Sequence, residues 1–286
     1  DTTGYGVLGR LAQALREQRA PYRTGSYSVS GDARILHGVV PADVVDESGV
    51  VRYAAYGRLA PDIRRMTSRV AANALAEHFS GALNSSVVRT EKLGAALENT
   101  SVSSAFADTS ISQQLRQVAR LIASRAEAGL ERECFFVSLG GFDMHDEVIA
   151  ALRDQLSLVN DALESFVSEM RALGVWEQVA LLSASDFGRT LSSNGRGTDH
   201  AWGGNQWVIG GSIAGGKVLG KYPSRLSSGA EIIDRGRVIP TTSWEAPWNA
   251  VAQWFGVEDD FLSQALPARG NFMPGALFSQ ADLFRN

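Results

Sequence analysis

"CFFVSLGG", residues 134–141, is a short unbroken apolar run closed by two glycines, and its reading decides the fold. A run of that length without polar alternation fits a strand covered on both faces, as inside a parallel sheet. After it, Val148, Leu152, Leu156, Val159, Leu163, Phe166, Met170 and Leu173 recur at spacings of three and four, the stripe of a long amphipathic helix, with Gly174 placed to stop it. "QVALLSAS", residues 178–185, repeats the buried-strand pattern. Strand, helix and strand in that order imply a right-handed crossover between parallel strands. The expected class is therefore α/β: a doubly wound, mostly parallel sheet with helices on both faces.

Upstream, the chain reads as helices and loops. "GVLGRLAQALREQ" (6–18), "RRMTSRVAANALAEHFSGAL" (64–83) and "ISQQLRQVARLIASRAEAG" (111–129) carry helical apolar spacing, the last closed by Gly129. With no internal repeat, low-complexity tract or Pro-rich linker, residues 1–286 read as one domain, mainly helical over 1–133 and α/β over 134–286. Downstream, "GGSIAGGKVLG" (210–220) lacks the Lys-Ser/Thr ending of a phosphate loop and predicts a hairpin turning at Gly215-Gly216. Trp244, Trp248 and Trp254 read as packing residues rather than sugar platforms.

Composition narrows the function classes. A chain of 286 residues with 44% hydrophobic and 20% charged residues can bury a sizeable core. A net charge of -4 and a pI near 5.7 argue against a protein that works by neutralising nucleic-acid phosphates or coating an anionic membrane. No stretch approaches the roughly 18 apolar residues of a membrane span. Cys134 is the sole cysteine, so an intrachain disulfide and a paired-cysteine metal knuckle are excluded, and the thiol is expected to be buried and inert. The chain opens at Asp1 without a leader pattern and reads as processed or truncated. Asn84 and Asn99 head glycosylation sequons, which matter only on a eukaryotic secretory route.

In open parallel sheets ligands bind beyond the carboxyl ends of the strands. Two polar clusters fall there: "GGFDMHD", with Asp143, His145 and Asp146, the last placed to cap the next helix, and "SDFGRT", with Asp186 and Arg189. "GTDHAWGG" adds Asp199 and His200 in a glycine-rich loop able to fold back. Converging Asp and His without Cys suits a divalent cation: zinc, manganese, iron, calcium or magnesium. The other reading makes Asp143 and Asp199 turn-formers and pairs Arg189 with Asp186. Of the remaining histidines, His37 is expected in a strand or loop, and His78 near a helix's negative terminus.

"SLGGFDMHD" (138–146), "LGVWEQVALLSASDFGRTLSSNGRGTDHAWGG" (173–204), "VIGGSIAGGKVLGKYP" (208–223), "RGRVIPTTSWEAPWNAVAQWFGV" (235–257) and "LPARGNF" (266–272) resemble a widespread family of exported microbial proteins classified only as a domain of unknown function. Its hallmarks are the Ser-Asp/Glu-Phe-Gly-Arg-Thr and Gly-Thr-Asp-His motifs. That family is placed beside the alkaline phosphatase and sulfatase superfamily, so the resemblance implies a doubly wound α/β fold with a metal centre at the carboxyl edge of its sheet. It implies Asp143, His145 and His200 as ligands of one metal, Asp186 as ligand of a neighbouring one, and Arg189 as partner of the substrate anion. The implied chemistry is hydrolysis of a small anionic phosphate or sulfate ester, with the metals stabilising negative charge and activating a nucleophile. Phosphatase relatives carry a His ligand where this chain has Phe187. Longer family members place a Gly-Gly-Asn-Asp-like segment on an N-terminal strand, whereas "TTGYGVLGRLAQAL" resembles a point well beyond it. The chain is thus expected to lack that strand and its nucleophile, to take them from a partner polypeptide if it is catalytic, and to be exported.

Overall fold

The structure, a computed structural model, describes residues 3–50, 55–68, 73–227 and 229–285. Its elements in chain order are α1 (Val7–Glu17), β1 (Thr24–Ser28), β2 (Asp43–Val44), α2 (Tyr56–Thr67), α3 (Ala74–Glu98), α4 (Ser110–Ala128), β3 (Arg132–Phe136), α5 (Val148–Ala172), β4 (Ala180–Leu182), β5 (Gly188–Arg189), β6 (His200–Ala201), β7 (Val208–Gly210), β8 (Ile232–Ile233), β9 (Arg237–Val238), α6 (Glu245–Phe255), α7 (Leu262–Ala265) and α8 (Gln280–Leu283). β1 is the central strand of a three-stranded parallel sheet in the order β2-β1-β3, with Ser26 opposite Cys134 and Tyr27 opposite Asp43 and Phe135.

Period-two alternation along β3 and β4 sorts their side chains between two apolar layers. Cys134, Phe136, Ala180 and Leu182 pack with Leu11 and Leu15 of α1, Trp248 and Val251 of α6, and Leu262 of α7. Phe135, Val137, Val179 and Leu181 pack with Leu115 and Leu121 of α4 and with Phe166 and Met170 of α5. Helices therefore cover both faces, as the crossover argument expects. The extended doubly wound sheet does not form among the described residues: β4 pairs antiparallel with β7, not parallel with β3. β3 and β4 are sandwiched between the same two helical layers without sharing a ladder.

Among the described residues the segment before β3 is mainly helical, in α1 to α4, but it also supplies β1 and β2, two of the sheet's three strands, which the apolar spacing did not mark. β1 reads TGSYS, with none of the bulky apolar run that marks a buried strand, yet four of its five residues are buried. Close packing explains it: a Cβ on Gly25 would lie 2.8 Å from a Leu130 methyl. The stretch 64–83 is not one helix, because α2 ends at Thr67 and α3 starts at Ala74, with Asn73 accepting from the Leu75 amide at its N-terminus; residues 69–72 lie outside the described residues. His78 sits in the first turns of α3, the opposite end from the one expected. No hairpin forms over 210–220; Ile213 instead bridges antiparallel to Phe284.

α4 ends at Gly129 in the left-handed region, and Gly174 follows α5 with φ +68, as both glycines predict. Only the second half of the α5 stripe is buried, around Phe166 and Met170, where each side chain contributes about 1.5–3 kcal/mol. Leu152 and Leu156 are 37% and 49% exposed, so the pattern over-reads burial at the end nearest the site. Glu169, buried in the same half, accepts hydrogen bonds from the Ser103 and Ser104 amides and so ties the α3–α4 connection to α5. Burial pushes its carboxyl up, but those amides hold it below the ordinary range. Trp248 is core and Trp254 stacks on Phe284, whereas Trp244 is exposed. No described helix is long and apolar enough to cross a membrane.

Candidate metal centre

Two loops build the site. The first runs from β3 into α5 and carries Asp143 and His145 on either side of Met144, whose buried side chain anchors it. The second spans the ribbon formed by β5 and β6, in which Arg189 lies opposite His200. Close backbone approach holds them together, and it needs the motif glycines. A Cβ on Gly197 would fall 2.3 Å from the His145 carbonyl carbon, and one on Gly188 would fall 2.2 Å from the Gly203 oxygen. Asn194 latches the second loop: its Oδ1 accepts from the Gly197 amide at 2.7 Å, while Nδ2 donates to Asp199 Oδ1 at 3.2 Å and to the His145 carbonyl at 3.3 Å. Thr190 fixes Asp199 from behind, donating its amide to the Asp199 carbonyl and accepting the Asp199 amide on Oγ1.

Asp143 Oδ1 then lies 2.6 Å from His200 Nε2 and 3.0 Å from His145 Nε2. One ligand atom from each of the three residues falls within 4.8 Å of the others, all on exposed side chains. Bonds of about 2.0–2.2 Å to a tetrahedral ion separate ligand atoms by about 3.3 Å, so the two Asp143–imidazole separations need only slight opening to share one ion. A donor set of two imidazoles and a carboxylate suits zinc, manganese or iron better than calcium or magnesium, which prefer oxygen. The other ring nitrogen of His145, Nδ1, lies 3.1 Å from Asp199 Oδ1, the carboxylate support usual behind a metal-binding histidine. Hydrogen bonding to His200, and then to Arg189, holds the Asp143 carboxyl below its usual range. Asn194 foremost, with His145 and Arg235, does the same for Asp199. Both therefore stay anionic where an ion would need them.

Three of the four proposed ligands are thus brought together; Asp186 is exposed beside Phe187 and stands outside the group. Arg189 pairs with Asp143 and not with Asp186. Its Nε donates to Thr198 Oγ1 at 2.9 Å, Nη1 to Asp143 Oδ1 at 2.8 Å, and Nη2 to the Met144 and Thr198 carbonyls. Asp143 and Asp199 use their carboxylates on other side chains instead of forming turns. Asp146 accepts from the Glu147 amide and pairs with Arg196, while the residue preceding α5 is Glu147 itself. His37 pairs with Asp32 at 2.8 Å, away from this group. Cys134 is buried and its thiol pushed up to about 12, as expected of an inert cysteine.

Sequence reasoning overlooked Asn194, although Asn-Gly is a turn signal. It also left Phe187 without a role. The Phe187 ring stacks on His200 with centroids 4.2 Å apart and planes 3° from parallel, fixing the plane of that imidazole. Such a stack is worth about 0.5–1.5 kcal/mol, so Phe187→Leu is expected to weaken metal binding by about two- to tenfold. Calorimetric titration with zinc reads this; an unchanged affinity would refute the orienting role.

A family model described as "Protein of unknown function (DUF1501)" matches residues 3–231. That segment contains Asp143, His145, Asp186, Arg189, Asp199 and His200 and ends before Arg235. No curated protein and no solved structure matches the chain.

Proposed function

We propose that this chain, which belongs to the DUF1501 family of proteins of unknown function, is a metal-dependent hydrolase of small anionic phosphate or sulfate esters. The observation that carries the reading is the convergence of Asp143, His145 and His200, with Asp199 supporting His145. The bound ion would supply Lewis acidity toward the ester oxygens. Asp143 contributes the anionic ligand, and the two imidazoles contribute neutral ones at Nε2. Asp186, exposed in the connection between β4 and β5, is assigned to a neighbouring ion. Arg189 holds Asp143 and the Met144 carbonyl in place, and it reaches substrate only by exchanging one of those bonds. In this reading the protein is exported.

A second reading is favoured by the arginine: with its bonds directed inward, Arg189 serves the architecture of the loop pair. The protein is then a non-catalytic metal- or anion-binding module of an extracellular or envelope assembly. The two readings separate in one experiment. Elemental analysis after incubation with zinc, manganese, iron, calcium and magnesium is expected to find zinc, manganese or iron at one equivalent for the Asp143, His145 and His200 group, and a further one for the ion assigned to Asp186. p-Nitrophenyl phosphate and sulfate then report hydrolysis. Metal with turnover supports the hydrolase; metal without turnover supports the binding module. An unloaded protein under every ion would sink the hydrolase and the metal-binding form of the module.

A further inference from the structure

We propose that Arg235 is a positioning residue of this centre, acting through Asp199 on His145; the inference rests on the metal reading above. The contacts run in series. His145 Nε2 faces Asp143, His145 Nδ1 meets Asp199 Oδ1, and the Arg235 guanidinium pairs with the other carboxylate oxygen, Asp199 Oδ2. Arg235 stands at the tip of the antiparallel β8–β9 hairpin, outside both motif loops. The hairpin docks on the second loop through backbone bonds from the Leu191 amide to the Gly236 carbonyl and from the Gly203 amide to the Val238 carbonyl.

The backbone gives an independent reason to single it out. Arg235 has φ +61, and the only other non-glycine residue of positive φ among the described residues is Glu147, two positions after His145. Both outliers border the same site. A left-handed turn residue is best served by glycine, and strain of this kind persists where the surroundings over-determine it. What over-determines Arg235 is its ion pair and the docked hairpin.

The consequence is mechanical. A carboxylate held at one oxygen can turn about its terminal torsion or swing toward a nearby cation and become a ligand itself. Asp199 is held at Oδ1 by Asn194 and at Oδ2 by Arg235, so it stays the acceptor for His145 Nδ1. That fixes the proton on Nδ1 and leaves the Nε2 lone pair for the ion. Among the described residues Arg235 pairs with Asp199 alone and is half exposed, whereas Arg189 is bound at several points. The relay is therefore adjustable at Arg235.

Glycine at 235 separates the two roles, since it accepts φ +61 freely and removes the guanidinium. In the full chain, Arg235→Gly and Arg235→Gln are expected to lower zinc and cobalt affinity by about tenfold, the scale of losing an outer partner of a ligand. The visible absorption of bound cobalt should shift as His145 reorients, and the glycine variant should melt at or above the wild-type temperature. Arg235→Lys keeps a cation there and should bind within about threefold of the wild type. Wild-type affinity and cobalt spectrum in both the Gly and Gln variants would overturn the proposal and leave the metal reading standing. A loss in Arg235→Lys as large as in Arg235→Gln would also overturn it. A wild-type chain that takes up neither ion overturns this inference together with the metal reading.

Discussion

Asp143→Asn is expected to empty the centre, lowering zinc or manganese affinity by more than about a hundredfold, with the fold intact. The size follows from comparison: loss of an outer partner such as Asp199 costs about 10–100-fold, and loss of a ligand exceeds that. Asp143 is the only anion among the three convergent groups, and its Oδ1 faces both imidazoles at 2.6 and 3.0 Å. Asparagine keeps the volume and an oxygen for Arg189 Nη1, which sits 2.8 Å from that atom, so the two loops should stay docked. Asp199→Asn should fall between Asp143→Asn and Phe187→Leu in its effect on affinity. Equilibrium dialysis with each ion, paired with melting curves, gives the series. An Asp143→Asn chain that loads like the wild type would remove Asp143 from the centre and the metal reading with it.

The site was more legible than the sheet that carries it. Asp143, His145 and His200 could be found because they follow apolar runs that read as strands and because Asp-x-His and Gly-Thr-Asp-His put ligand-type side chains where loops are expected. The glycines that let Gly197 pack on His145 were visible too, as residues without an assigned contact. What could not be read was pairing. β1 hides because Gly25 is crowded by Leu130 and by the ring of the strand's own Tyr27, and the glycine and serines that fit there carry no hydrophobic signal. β4 was read correctly as a strand and wrongly as β3's parallel neighbour, since an apolar run reports burial and not its hydrogen-bonding partner. Arg235 had no local signal either. Its role depends on a hairpin more than thirty residues downstream folding back onto Asp199.

The other large effect lies in the strand that leads into the site. Glu133 precedes Cys134 in β3 and shares a face with Phe135, beneath the α4 and α5 layer. Burial raises its carboxyl from 4.5 to about 7, with Arg125 offsetting part of the rise. A raised carboxyl means the folded chain holds its proton more tightly than the unfolded chain. The associated stability is therefore complete below about pH 4.5 and is lost progressively as pH climbs to about 7 and above. A rise of that size corresponds to up to about 3 kcal/mol. Glu133→Gln should accordingly stabilise the protein by about that amount at pH 8 and change little at pH 4.5, because a buried amide resembles the protonated acid and costs the same at both. Urea unfolding at the two pH values decides the matter: a gain of equal size at both, or none at pH 8, would show that the charge on Glu133 is not what burial penalises. Because β3 leads directly into the loop bearing Asp143 and His145, a wild-type chain loosened at high pH should also lose metal there, and Glu133→Gln should retain it.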